Sequence, residues 1–129
     1  MENRLPVKVY YEDTDSLGVV YYANYLKYFE RGRTELIAGL GKTVSEWNQE
    51  GHNFVVFNMN ITFHKPGRLG DEAEVLTEIV PGSAYKLKMR QRLYRGDELL
   101  TEADVIVVCL DGDFELRELP EILTVWDDE

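Results

Sequence analysis

The spacing of apolar positions along the chain changes period, and each change marks an element. Leu5 to Tyr11 is short and rich in valine and tyrosine, which predicts a first strand, with Pro6 near its start where an edge or first position tolerates the missing N–H. From about Tyr21 to Leu40, the residues Tyr22, Tyr25, Leu26, Phe29, Leu36 and Leu40 recur at three-, four- and seven-residue steps. Lys27, Glu30, Arg31, Arg33 and Glu35 fill the other positions, so the stretch predicts an amphipathic helix ended by Gly39 and Gly41. Gly32 falls on the apolar stripe, where it costs about 1 kcal/mol of helix propensity, so another backbone is expected to pack close there. Thr43 to Glu50 predicts a short second helix, with Thr43 as N-cap, Glu46 three residues on, and Gly51 after its end.

Beyond Gly51 the period becomes two. Phe57, Met59, Ile61 and Phe63 alternate with Asn58, Asn60, Thr62 and His64, a long strand stopped by Pro66 and Gly67, and Glu72 to Val80 predicts another, stopped by Pro81 and Gly82. Tyr85, Leu87, Met89 and Leu93 alternate with Lys86, Lys88, Arg90 and Arg92, and Leu99 to Leu110 completes the series. A three-residue loop, Gly96-Asp97-Glu98, would set Met89 opposite Val105, Leu87 opposite Val107, Arg92 opposite Glu102 and Arg90 opposite Asp104. A slip of one residue would put Met89 against Asp104, so the hydrophobic pattern selects the first register. The acidic tail after Asp111 is expected to lie along the surface. One strand, one long helix, a helical turn and then four strands joined by hairpin-like connections make an α+β architecture in which a curved antiparallel sheet wraps one helix.

With 129 residues the chain is a single domain, 1–129, with enough apolar surface for its own core. Cys109 is the single cysteine, which rules out an internal disulfide framework and a paired-cysteine zinc site; between Val107, Val108 and Leu110 it is a core residue. The net charge of −10 argues against nucleic acid as a partner, because phosphate binding needs a concentrated basic footprint. No apolar run reaches the roughly 18 residues of a membrane span and none near the N-terminus suits a signal peptide, so a soluble, cytoplasmic protein is expected.

Candidate chemistry gathers in YYEDTDSLGVVYYANYLKYFERGRTEL, Tyr10 to Leu36. A strand leads into Glu12, Asp13 and Asp15, turns through Ser16 to Gly18 and enters the long helix. A carboxylate is thereby set beside a helix N-terminus, whose unpaired N–H groups and partial positive charge hold a developing oxyanion. Acyl cleavage needs that pairing. Other readings fail on spacing. Gly39-Leu40-Gly41-Lys42-Thr43 has Leu36 in place of the first glycine of a phosphate loop and follows a helix, not a strand. Asp13-Thr14-Asp15 has Leu17 and Asn24 where a calcium loop needs ligands, and no GxSxG elbow occurs. An aspartate-based phosphatase would need alternating βα units, which this chain lacks.

The same run resembles the signature of the hotdog-fold acyl-CoA thioesterases of the 4-hydroxybenzoyl-CoA thioesterase family, and within it the branch associated with the Tol-Pal operon of Gram-negative bacteria. FHKPGRLGD, Phe63 to Asp71, is similar to a second family segment, and the VVCLD strand also fits. The resemblance implies a hotdog fold and hydrolysis of an acyl-CoA, or of an acyl carrier protein thioester, with no metal and no bound cofactor. It implies Asp15 as nucleophile or general base and the Tyr22 backbone N–H as carbonyl polariser. Gly18 matches the turn glycine, and Val20, Tyr21, Asn24 and Tyr25 fall inside the signature as substrate-binding candidates. The Tol-Pal branch usually carries histidine at the position of Tyr22; a backbone donor survives that exchange, whereas an imidazole contact would not. Family members form homodimers, often paired into homotetramers, by joining sheets edge to edge, which would bring Asp15 to a partner's strand near Val55 to Asn60.

Asp13 is expected to be a solvated turn carboxylate, close enough to raise its neighbour by repulsion. Lys86 and Lys88 are candidates for the phosphates of CoA, as is Arg68, whereas Arg90 and Arg92 already have acidic cross-strand partners. His64 reads as a hydrogen-bonded structural residue. The rival of another class is a hotdog protein that binds acyl-CoA or an acyl carrier protein without turnover.

Overall fold

In the computed structural model, which describes residues 1–124, an antiparallel sheet is covered on one face by a single long helix. The elements run β1 (Glu2–Lys8), α1 (Asn24–Gly39), α2 (Val44–Gln49), β2 (Asn53–Phe63), β3 (Glu72–Val80), β4 (Leu87–Arg95), β5 (Glu98–Leu110) and β6 (Leu116–Arg117), with 3-10 turns at Tyr11–Asp13 and Glu121–Leu123. The sheet order is β1-β3-β4-β5-β2, and β6 pairs with the end of β5. The α+β expectation therefore holds, but the connections are not all hairpins. The link from β2 to β3 crosses the end of the sheet, and that crossing carries Lys65–Gly70 past the Asp15 turn.

β1 starts earlier than the valine-rich stretch suggests, and Pro6 is paired with Glu74 on an edge strand, where its missing N–H costs no ladder bond on the open side. Val9 instead zips to the crossing link: its N–H donates to Asp71 O at 2.9 Å, and Gly70 N–H donates to Val9 O at 3.0 Å. The β4–β5 register is the one the hydrophobic pattern selects, with Met89 opposite Val105, Leu87 opposite Val107, Arg90 opposite Asp104 and Arg92 opposite Glu102. The loop is shorter than expected, however: Gly96 (φ 64°) and Asp97 alone turn the chain, and the register shifts between Leu93 and Tyr94. Leu100 is the extra residue, so Leu100 and Thr101 are both buried. A second irregularity at Phe57 breaks the alternation of β2; Phe57 turns outward and is 64% exposed, although the period placed it with Met59 and Ile61.

Tyr25, Phe29, Gly32 and Leu36 of α1 face the sheet. A Cβ on Gly32 would lie 2.6 Å from Thr77 Oγ1 and 2.8 Å from Val75 Cγ1, so the close approach expected there is made by sheet side chains rather than by another backbone. The middle row of the sheet is small or polar where the helix comes nearest. Gln91 Nε2 donates to Phe29 O at 2.8 Å and to Thr77 Oγ1 at 2.9 Å, and its Oε1 accepts from Arg33 Nη1 at 2.9 Å. Arg33, placed among the polar positions by its spacing, is thus 7% exposed. The tail is not confined to the surface either, since β6 extends the sheet and Leu119 and Leu123 enter the core; its end, 125–129, lies outside the described residues. Cys109 is fully buried, and burial pushes its thiol above the usual range. No described helix is long and apolar enough to cross a membrane.

Candidate active site

Two connections meet at the N-terminus of α1 and hold each other in place. In the first, Asp15 N–H donates to Val19 O at 2.9 Å, Gly18 N–H to Asp15 O at 3.0 Å, and Thr14 pairs with Val20, a tight turn that Gly18 closes at φ 77°. In the second, Gly67 O accepts from Val20 N–H at 2.8 Å, and Leu69 N–H donates to Gly18 O at 3.0 Å. Tyr25, buried in the first turn of the helix, accepts a bond from Gly67 N–H at 3.0 Å through its hydroxyl. Val19 pairs with Arg68, and Asp71, held by Arg95 Nη1 at 2.6 Å, receives Arg68 N–H at 2.8 Å.

This framework holds the half-buried Asp15 with one carboxylate oxygen occupied. Oδ1 accepts from Leu17 N–H at 2.9 Å, while Oδ2 has no partner among the described residues. At the helix start, Asn24, Tyr25 and Leu26 N–H donate to the carbonyls three residues back, and Tyr21 N–H donates to Asp13 O at 2.9 Å. The N–H groups of Tyr22 and Ala23 have no acceptor among the described residues, which leaves open donors at the positive end of a helix 16 residues long.

Asp13 is not the solvated carboxylate expected from its turn. Its Oδ2 accepts from Tyr10 N–H at 3.0 Å and from Tyr28 Oη at 2.9 Å, and its carbonyl also accepts from Asn24 Nδ2 at 2.9 Å. Burial, then the bond and charge of Asp13, push the Tyr28 phenol well above its ordinary value, so it stays a donor. Asn24 and Tyr25 are therefore braces of the turn, and Val20 is buried beneath it. Tyr21 and Tyr22 are exposed, their rings 5.0 Å apart and tilted 50° to each other, and the Tyr22 ring meets Phe63 edge-on at 6.4 Å. Arg68 is exposed, and its guanidinium has no partner among the described residues.

Lys86 and Lys88 are not brought to Asp15 within one chain. Arg95 marks the Asp15 end of β4, and Lys88 lies seven positions back, roughly 23 Å along the strand. Lys86 Nζ sits 5.6 Å from the Phe57 ring, and both lysines border a small cleft with Ser83 and Leu123. His64 bonds Glu102 at 3.2 Å, as its structural reading requires. Periodicity placed Phe63 on its strand but missed its contact with the Tyr22 ring and a groove of about 520 Å³ between α1 and β2, lined by Leu26, Val56 and Met59 and by the charged Lys27, Glu30, Arg31 and Arg33. The signal was present, since Tyr22, Leu26, Glu30 and Arg33 follow one another at helical steps. Among the described residues no group of three His, Cys, Asp or Glu side chains is placed to hold a metal.

The profile of the Thioesterase superfamily matches residues 17–102. The chain belongs to this superfamily. Acyl-CoA thioester hydrolase YbgC of Escherichia coli O157:H7 is 42% identical over 109 residues, covering 84% of this chain and 81% of the relative. Acyl-CoA thioesterase YbgC of Haemophilus influenzae is 41% identical, covering 82% and 79%. A probable thioesterase from Bartonella henselae superposes with a TM-score of 0.88 at 31% identity, covering 93% of this chain and all of the other. The fold is therefore the hotdog fold of the thioesterases, with the helix enclosed by its sheet. The superfamily match begins just beyond Asp15.

Proposed function

We propose that this thioesterase-superfamily chain hydrolyses an acyl-CoA to the free acid and CoA, with Asp15 as the reacting carboxylate and Tyr22 N–H as the donor to the thioester oxygen. The observation that carries it is the pairing of an unoccupied carboxylate oxygen with an unoccupied helix-start donor in one hydrogen-bonded turn. Asp15 Oδ2 attacks the thioester carbon to give a mixed anhydride that water then opens, or it takes a proton from the water that attacks. In either course the carbonyl oxygen becomes an oxyanion on Tyr22 N–H, and the sulfur departs as the CoA thiolate, which takes its proton from solvent in the first course and from the newly protonated Asp15 in the second. The acyl group lies along the α1–β2 groove past Leu26 and Met59, and Arg68 faces the phosphates. Acyl-CoA as substrate places the work in the cytoplasm, and an acyl carrier protein thioester is the other substrate class.

The groove is open on one side because β2 is an unpaired edge, with Val55, Val56, Phe57 and Phe63 each at least 42% exposed. An edge of that length and composition invites a second strand. Two copies joined β2 to β2 by a two-fold axis run antiparallel, which sets the Lys86 end of one sheet beside the Asp15 end of the other. The homodimer thereby completes the groove and brings Lys86 and Lys88 within reach of the substrate; pairing of dimers gives a homotetramer.

The test is thiol release from short, long and aromatic acyl-CoAs by the wild type and Asp15→Asn. Asp15→Asn is expected to stay folded and to lose at least about 100-fold in kcat. Near-normal turnover by a folded variant would overturn the role of Asp15. CoA binding without turnover of any thioester by the wild type would establish the non-catalytic binding reading in its place.

A further inference from the structure

Arg33 is the one charged side chain that the fold buries among the described residues. A guanidinium carries five N–H donors. Nη1 donates to Gln91 at 2.9 Å and Nη2 to Glu30 at 2.7 Å, and the rest have no partner among the described residues. A brace between helix and sheet does not need this charge, because Gln91 already ties the two together through Phe29 O and Thr77.

Arg33 borders two cavities. It lines the groove of about 520 Å³ beside Leu26 and Met59, and also a cavity of about 90 Å³ that continues from Val56 toward Phe54 and Ile37. Lys27 and Arg31 also border the groove but are exposed, so Arg33, with Glu30 beside it, is the buried charge that the lane from Tyr22 past Leu26 and Met59 reaches. Glu30 does not cover the guanidinium, since its side chain is 67% exposed and meets only Nη2.

We infer that Arg33 is a specificity residue at the far end of the acyl lane, and that the acyl group accepted there carries a hydrogen-bond acceptor, a hydroxyl or carboxylate oxygen, near its end. This rests on the thioesterase reading. Arg33 stands eleven residues beyond Tyr22 and its side chain leans back toward the helix start, which sets the acceptor roughly 10 to 16 Å from the carbonyl donor. A plain hydrocarbon end would take water from the unused donors and return no bond. An acceptor oxygen returns one, strengthened by the charge.

The experiment compares kcat/KM for straight-chain acyl-CoAs with that for their ω-hydroxy and ω-carboxy counterparts over a ladder of lengths. The wild type is expected to favour an oxygenated member by about tenfold or more at one length. Arg33→Met is expected to bring that ratio near unity while still hydrolysing the plain chain. Glu30→Gln alters an exposed residue and is expected to fold, and by leaving the guanidinium charge unpaired it should raise the ratio of ω-carboxy to ω-hydroxy substrate severalfold. Should Arg33→Met not fold, Glu30→Gln decides alone. A wild type that favours plain chains at every length, or ratios that neither variant moves, would overturn the inference and leave the hydrolase intact. Absence of turnover of every thioester would instead overturn the hydrolase reading on which it rests.

Discussion

Asp13 and Asp15 stand two positions apart and have different surroundings. Asp13 Oδ2 is filled by Tyr10 N–H and the Tyr28 hydroxyl, so it pins the turn to the helix, whereas Asp15 keeps Oδ2 open. Tyr28 is 1% exposed, and its bond goes to a charged acceptor, so Tyr28→Phe should cost on the order of 1 to 3 kcal/mol in chemical denaturation. On the proposed mechanism it should also lower kcat more than it raises KM, because the turn that holds Asp15 loosens while the α1–β2 groove is untouched. An unchanged kcat in a destabilised variant would separate the brace from the turn proposed to be catalytic. Sequence spacing could not assign the two roles, since Tyr28 lies fifteen residues from Asp13 and meets it only because the helix folds back along the strand end.

At the scale of the element, Gly32 and the α2 cap set local preference against packing. Gly32→Ala would add about 1 kcal/mol of helix propensity, yet the new Cβ meets Thr77 Oγ1 at 2.6 Å and Val75 Cγ1 at 2.8 Å, and overpacking of that kind costs about 1 to 3 kcal/mol. The variant should therefore melt lower than the wild type, and a higher melting temperature would show that the sheet gives way. In α2 the N-cap was legible from the sequence and is formed as written: Thr43 Oγ1 accepts from Glu46 N–H at 3.1 Å, and Thr43 N–H donates to Glu46 Oε1 at 2.8 Å. The bond from Thr43 N–H, then that from its hydroxyl, hold the Glu46 carboxyl below its ordinary value of 4.5. A depressed carboxyl stabilises the fold fully above its unfolded value and loses that contribution as pH falls through the lower folded one. The stability gap between wild type and Glu46→Ala should be widest above about pH 4.5 and narrow below it. A gap that widens in acid would reverse the assignment.

At the scale of the whole molecule, the exposed edge of β2 and the half-open groove are the surface that the proposed dimer would cover. The wild type should sediment at twice the 15.0 kDa of one chain or a multiple of that, and Val55→Lys, which puts a charge on the edge, should shift it toward monomer with loss of turnover. A monomeric variant with full turnover would show that one chain holds a complete site. What the amino-acid order determined by itself is whatever depends on near neighbours and period. The helix stripe, the capping box, the span Glu72–Val80 and the β4–β5 register follow because a one-residue slip there would bury Asp104. The Asp15 turn was also visible, because an acidic run, a glycine and a helix start lie within one short stretch. Only the tertiary structure decided the crossing from β2 to β3, the outward turn of Phe57 and the burial of Arg33. Each depends on which distant surfaces meet: Gly67 locks onto Tyr25 and Val20, and Gln91 supplies the acceptor that makes a buried guanidinium tolerable. Such pairings cost loop entropy that is recovered only in the assembled core, so no local pattern announces them.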